Sequence, residues 1–357
     1  MKPREKFSKI LRSSVDLYKI NYVEFADELG IVESNFRQWT TGRSLPGRHI
    51  IDELCDELSK KLNANSDNHK NTAMVKLIAN VCPDFTEDDI AGDIGGYVVA
   101  KLMVCFTNAK QRKKANTKNT NDIVAEKSHM PTGKIQAVVF DFDGTLTHKE
   151  FTRTTWESIW EILDYDVEEC VKLHGKFDKN EITHQEWCNL TCDKFVEKNL
   201  HKSVLEGIAK KIKLLDGCKD TFVELDNRNI QIYIVSGSIL YIVQRVLGDL
   251  VQYVDDIKAN LFRFSSNGLL TEIIGTKYDF EGKADYIREI ADSLRISTAD
   301  ILFIGNSYND EFAYRSGAKT LCINPSKTNP ANTTIWHERI DNCSNLQQIL
   351  DCKHLKL

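Results

Sequence analysis

Asp141 and Asp143 stand two residues apart in VVFDFDGTLT (Val138–Thr147), directly after the β-rich run Ile135–Phe140. A carboxylate fixed at the end of a strand is a candidate nucleophile, and a second one beside it is a candidate acid or base. Two close carboxylates also repel each other and favour a hard divalent cation such as Mg²⁺, which prefers oxygen ligands. Ser236 and the backbone N–H groups around Gly237 offer donors to an anion, and Lys283 offers a fixed positive charge. Asn306 and Asp310 add oxygen ligands. Donors, cation, lysine and nucleophilic carboxylate are together the parts needed for phosphoryl transfer through a covalent aspartyl-phosphate.

These groups are far apart in sequence, so the fold must gather them. Short β-rich runs (Ile135–Phe140, Ile230–Val235, Ile301–Ile304 and Thr320–Ile323) alternate with helical stretches, the pattern of a parallel α/β sheet. The first three runs each end in a polar loop: Asp141-Phe142-Asp143-Gly144, Ser236-Gly237-Ser238 and Gly305-Asn306-Ser307. Open α/β sheets bind ligands outside the carboxyl ends of their strands, so the three loops are expected to meet at one site.

In order and content these segments resemble the haloacid dehalogenase (HAD) superfamily of phosphohydrolases. VVFDFDGTLT matches the family's first motif, IVSGS (Ile234–Ser238) the second, Lys283 in YDFEGKADYI the third and IGNSYND (Ile304–Asp310) the fourth. The resemblance covers about Ile135 to Asn324 and is closest to phosphoserine-phosphatase-like members. Leu215-Asp216-Gly217 matches their turn before the second-motif helix, and IKANLFRFSSNGLL (Ile257–Leu270) their β-hairpin. It implies a Rossmann-like α/β core over residues 135–357, with a helical cap at about 148–214. By family role Asp141 is the nucleophile and Asp143 the acid/base. Ser236, Gly237 and Lys283 bind the phosphoryl group, while Asp141, Asp143 through its carbonyl, Asn306 and Asp310 hold Mg²⁺.

Two departures from that family bear on substrate. Asn306 stands where an Asp is usual, which replaces a charged ligand with a neutral amide oxygen. Glu150 stands where the phosphoserine enzymes hold the substrate amine, but the cap helix around Glu186–Phe195 lacks their carboxylate-binding arginine. The cap instead carries Trp156, Trp160 and Trp187, whose helical spacing reads as core.

The N-terminal segment 1–66 reads as an all-α module. Tyr22–Leu29, a turn at Gly30 and Glu33–Thr40 form a helix-turn-helix pattern, with Ile31, Phe36 and Trp39 facing a shared core. Together with TGRSLP (Thr41–Pro46) it resembles the lambda-repressor/Cro type. That resemblance implies a recognition helix exposing Ser34, Asn35, Arg37, Gln38 and Thr41, with Arg43 near the backbone of double-stranded DNA. Met1 to Lys61 holds 11 Lys/Arg against 10 Asp/Glu, little electrostatic attraction for a phosphate backbone. A protein-binding helical module is the alternative.

Residues 67–108 read as two further helices, the second starting at a capping-box pattern from Thr86, with a dimerising role assigned from position alone. Residues 109–134 are polar and read as a linker. The 357 residues, with 41% hydrophobic and 28% charged, exclude a wholly disordered or fibrous chain. The net charge of -5 supplies no global field for nucleic acid. The first residues hold no apolar signal core, and no apolar stretch is long enough to span a bilayer. Ten scattered cysteines then read as reduced thiols of a cytoplasmic protein. His184, Cys188 and Cys192 share a helix face, but the outer two lie ~12 Å apart along the axis, too far for one zinc ion.

The whole therefore reads as a Mg²⁺-dependent phosphatase of a phosphorylated metabolite, tethered to a DNA-binding module. A nucleic-acid end phosphatase and a non-catalytic ligand-sensing regulator are the alternatives.

Overall fold

A computed structural model describes residues 1–82, 93–114, 130–148, 154–179, 181–278, 280–326 and 334–356. The chain forms two compact units, Met1–Ala125 and Glu126–Leu357.

The first unit is helical: α1 (Pro3–Leu17), α2 (Tyr22–Glu28), α3 (Glu33–Thr41), α4 (Arg48–Ala64), α5 (Asn68–Val81) and α6 (Ile94–Lys114). Phe7, Ile10, Leu11 and Val15 recur at helical spacing on α1 and are buried together. Asn21 caps α2 by accepting the N–H groups of Val23 and Glu24. The chain turns at Gly30, whose φ is +63°, and Phe36 of α3 packs edge-on against both Phe25 and Trp39. Two short helices joined by a turn at Gly30 are thus present, within an all-helical unit.

Four expectations for this unit need correction or restriction. Asn35 and Gln38 are not exposed: they are 1% and 9% accessible. The tail after α3 folds back, so that the Arg43 N–H donates to the Gln38 carbonyl and Ser44 Oγ to Gln38 Oε1. Ser34, Arg37, Thr41 and Arg43 remain exposed. Residues 67–108 are not set apart from 1–66, because α5 and α6 pack on α1, and α6 also on α4, burying Met74, Ile78, Val98 and Leu102. The linker begins later than expected, since α6 continues to Lys114 and takes up Lys110, Arg112 and Lys113. The capping box expected at Thr86 lies outside the described residues.

The second unit is built on a seven-stranded sheet of order β4-β3-β2-β1-β5-β6-β7. The strands are β1 (Ala137–Phe140), β2 (Gln231–Ile239), β3 (Val254–Phe264), β4 (Leu270–Ile274), β5 (Ile301–Gly305), β6 (Lys319–Ile323) and β7 (Glu338–Ile340). All pairings are parallel except the β3–β4 hairpin. β1 lies between β2 and β5 and is buried at every residue, which accounts for its unbroken apolar run. Between β1 and β2 come α7 (Thr155–Ile162), α8 (Val167–Asp178), α9 (His184–Glu197) and α10 (Lys202–Ala209), the helical cap, followed by α11 (Cys218–Asn227). After β2 comes α12 (Leu240–Leu247), and before β5 comes α13 (Gly282–Leu294).

Capping boxes start α7 at Thr154 with Glu157, and α9 at Thr183 with Glu186. The chain leaving for the cap and the chain returning from it pair antiparallel: Thr147 bridges Leu214, and the His148 N–H donates to the Lys213 carbonyl. The three cap tryptophans are buried, as their spacing suggests.

All ten cysteines are buried thiols with no disulfide between them. His184 Nε2 lies 4.0 Å from Cys188 Sγ, and the two contribute to no metal cluster among the described residues. None of the described helices is long and apolar enough to cross a membrane.

Candidate active site

Sheet register brings the three motif loops to one edge. Phe140 pairs with Ile234 on one side and Ile304 on the other, so Asp141 and Asn306 follow at the carboxyl ends of β1 and β5, and Ser236 lies beside them within β2. The Asp141 N–H continues the ladder by donating to the Ile304 carbonyl (2.9 Å). Phe142, fully buried, pins the turn into the core and leaves Asp141 buried and Asp143 exposed on either side of it. Gly144 then turns with φ +77°, and a Cβ there would stand 2.4 Å from Asn306 Nδ2. Only glycine combines that conformation with that approach.

Lys283 is inaccessible to solvent, and its Nζ lies 3.0 Å from Asp141 Oδ1 and 2.5 Å from Asp310 Oδ1. Asp310 Oδ2 accepts the N–H groups of Asn306 (2.8 Å) and Ser307 (3.0 Å). A Cβ at Gly305 would come within 2.5 Å of the Asp310 Cγ, so the missing side chain makes room for this carboxylate. Asp310 therefore ties Lys283 to the fourth-motif loop, with both of its oxygens engaged. Burial pushes the Asp141 carboxyl well above the usual carboxylate range, and the charges of Asp310 and Asp143 push it the same way against Lys283.

Two buried carboxylates meet one lysine, which leaves an excess of negative charge, and the Asp141 carboxylate and the Asn306 amide oxygen can serve as oxygen donors. That donor set fits a hard divalent cation. It is assembled without a cluster of three His, Cys, Asp or Glu side chains, and none occurs among the described residues.

The second motif is not a loop beyond a finished strand, as its sequence suggests. β2 continues through Ser236-Gly237-Ser238 to Ile239, and its register against β3 shifts between Val235 and Ile239, where two extra residues bulge out. Ser236 Oγ accepts the Ser238 N–H (3.1 Å). The Gly237 carbonyl receives two donors, Trp156 Nε1 from the cap (2.9 Å) and Asn260 Nδ2 from β3 (2.8 Å). Ser238 Oγ meets Thr155 Oγ1 at 3.1 Å. Sequence reasoning missed Thr155, Trp156 and Asn260 in this supporting role. The one signal was Asn260, a polar residue inside the apolar run of the hairpin.

The site residues thus fall into distinct groups. Asp141, Lys283 and Asp310 are in direct contact, and Asn306 reaches the same turn. Asp143, Ser236 and Gly237 occupy the same sheet edge. Glu150 lies outside the described residues.

Comparison with known proteins agrees with this geometry. Residues 135–316 match the haloacid dehalogenase-like hydrolase family. The phosphoserine phosphatase of Idiomarina loihiensis is 24% identical over 225 residues, spanning 60% of this chain and 92% of that protein. The phosphoserine phosphatase of Archaeoglobus fulgidus is 26% identical over 208 residues, and the match covers 57% of this chain and 56% of that relative. A HAD-family hydrolase from Salmonella enterica serovar Typhi shares the fold with TM-score 0.50 at 16% identity, over 62% of this chain and 71% of that one. With the family match spanning all four motif segments and just over half of its length, the chain belongs to the haloacid dehalogenase-like hydrolases and is an enzyme of their phosphatase type.

Proposed function

We propose that the second unit hydrolyses phosphomonoesters through an aspartyl-phosphate on Asp141, with Mg²⁺ as cofactor. The observation that carries the reading is the buried contact of Lys283 with Asp141 and Asp310 at the carboxyl end of β1. An Asp141 oxygen attacks phosphorus, the bond to the leaving oxygen breaks, and Asp143 supplies the proton that oxygen needs. Asp143 then takes a proton from water as the water oxygen attacks phosphorus, which frees phosphate and restores Asp141. Ser236, the N–H groups around Gly237 and Lys283 bind the phosphoryl oxygens. Asp141, the Asp143 carbonyl and Asn306 would hold Mg²⁺, while Asp310, expected among the ligands, instead fixes Lys283 and the fourth-motif loop with both of its oxygens. When bound, the ion neutralises phosphoryl charge and keeps the crowded Asp141 ionised.

Phosphate release from phosphoserine, sugar phosphates, nucleotides and phosphorylated oligonucleotides tests this directly. Release with Mg²⁺ and its loss in a chelator are expected; release unaffected by chelation would overturn the metal role. Asn306→Asp sharpens the test by restoring a charge to the neutral ligand. It should lower the Mg²⁺ concentration giving half-maximal activity, and an unchanged or higher requirement would remove Asn306 from the metal's surroundings.

The first unit is proposed to bind duplex DNA. Support comes from the α2–Gly30–α3 turn and from Ser34, Arg37, Thr41 and Arg43 exposed along and after α3. The burial of Asn35 and Gln38 narrows the reading set to these side chains. Arg37 is held by Glu33 at 2.6 Å and stacks over Tyr22 at 4.6 Å. In a duplex selected from a random library, Arg37→Ala should cost about 1–3 kcal/mol of specific binding. At fixed salt, failure to enrich any sequence would make the unit a protein-binding module.

A further inference from the structure

The reading above leaves the leaving group unspecified, and a chain of aromatic rings addresses it. Phe280 lies just ahead of the catalytic lysine, its carbonyl accepting the Lys283 N–H (3.0 Å). Its ring lies 5.9 Å from Tyr308 of the fourth-motif loop and 5.8 Å from Phe177 of the cap. Phe177 continues to His184 at 5.2 Å, and His184 stacks on Trp187 at 5.6 Å with a 17° interplanar angle. His174 lies 5.7 Å from both Phe177 and Trp187. Trp187 meets Trp156 at 4.6 Å, and Trp156 ends on the Gly237 carbonyl. The rings thus run along the seam between cap and core, from the fourth and third motifs to the second.

Burial divides this chain. Trp156 and Trp187 are interior, whereas Phe177, His174, His184 and Phe280 are half-buried and Tyr308 is 37% exposed. The two largest rings, Trp156 and Trp187, are buried as a structural core requires, and it is the smaller rings from His174 to Tyr308 that keep part of their surface accessible. The Gly237 carbonyl, the acceptor next to Ser236, has both lone pairs engaged by Trp156 and Asn260. It is closed to an ammonium or hydroxyl on the leaving group. The described cap helices also carry no arginine.

We propose that this seam is a stacking surface, and that the substrate is a phosphomonoester whose leaving group carries a planar aromatic or heteroaromatic ring, as a free nucleotide or as the phosphorylated end of a strand. The proposal rests on the phosphatase reading above and specifies its substrate.

Adenosine 5′-monophosphate and ribose 5-phosphate present the same ester with and without the base. In the full chain with Mg²⁺, kcat/KM should favour the nucleotide by about 5- to 150-fold, the range of one stacked base. Phe177→Leu and Phe280→Leu should each lower that ratio several-fold, while Phe280→Tyr, which keeps a ring, should preserve it. Equal use of the two esters, or preference for phosphoserine over the nucleotide, would overturn the proposal. Binding of both esters to Asp141→Asn protein supplies a readout independent of turnover. Preferential nucleotide binding without release from any ester would support the surface and reject the hydrolase. Equal binding with active release would reject only the surface. A 5′-phosphorylated oligonucleotide in the same assay distinguishes a strand end from a free nucleotide.

Discussion

Asp141→Asn is expected to lower kcat by about 10³-fold or more and to raise the thermal stability of the metal-free protein. The first effect follows from chemistry, because an amide has no anionic oxygen to attack phosphorus. The second follows from the surroundings. Asparagine keeps the shape of the residue and an oxygen to accept from Lys283 Nζ at 3.0 Å. It removes one of the two carboxylates that share a single buried lysine, and that carboxylate is itself buried.

The sign of the stability effect is fixed by the raised pKa of Asp141, for which burial is the largest cause, with Asp310 and Asp143 pushing the same way against Lys283. A folded-state value above the unfolded one means that the native protein holds this proton more tightly. Stability from the protonated form is full below the ordinary carboxylate range and is lost as pH rises through the raised value. Asparagine does not titrate, so the variant should melt higher near neutral pH and lose its advantage toward acid. Saturating Mg²⁺ should also narrow the difference, since a bound cation offsets the crowding. Each ~1 kcal/mol corresponds to roughly 2–4 °C in a domain of this size. Wild-type turnover in the variant would remove Asp141 as nucleophile; a lower melting temperature without metal would contradict the crowding argument.

What the sequence disclosed of this site is what local physics writes into it. An apolar run of full burial ending in Asp141-Phe142-Asp143 admits few readings besides the exit of a central strand. Lys283 and Asp310 followed from motif order, and the cap from helical spacing between the first two motifs. The features that escaped all depend on contacts between distant segments. The face of α3 carrying Gln38 reads as exposed until the Arg43–Ser44 tail folds over it. The polar Ser236-Gly237-Ser238 reads as a loop because composition does not show that β3 continues to pair with β2 past a bulge. Trp156 reads as core and is core, yet its indole N–H also holds the Gly237 carbonyl of the second motif, a use that burial alone does not reveal. The expected separation of residues 67–108 had no compositional boundary to mark it, and packing on α1 and α4 removes it.

Lys283→Met should abolish activity and destabilise the second unit by about 3–5 kcal/mol. A fully buried ammonium is tolerated only because two carboxylates meet it, at 3.0 Å and 2.5 Å. Methionine fills a similar volume with a flexible apolar chain, so little of the loss should come from a cavity. The cost lies in what remains: Asp141 and Asp310 buried near each other with no counter-charge between them. Asp310 keeps the two N–H donors of Asn306 and Ser307, whereas Asp141 loses its positive partner and the substrate loses a ligand for the phosphoryl group. Mg²⁺ should therefore raise the melting temperature of Lys283→Met more than that of the wild type. Adding Asp141→Asn should recover part of the lost stability and none of the activity, because residues in one charge network do not contribute additively. Lys283→Arg keeps the charge but imposes a rigid fork in a space shaped for a point charge, and it should remain far below wild-type turnover. If Lys283→Met instead folds with wild-type stability and the double variant gains nothing, the three groups are not coupled. The lysine would then serve the substrate alone.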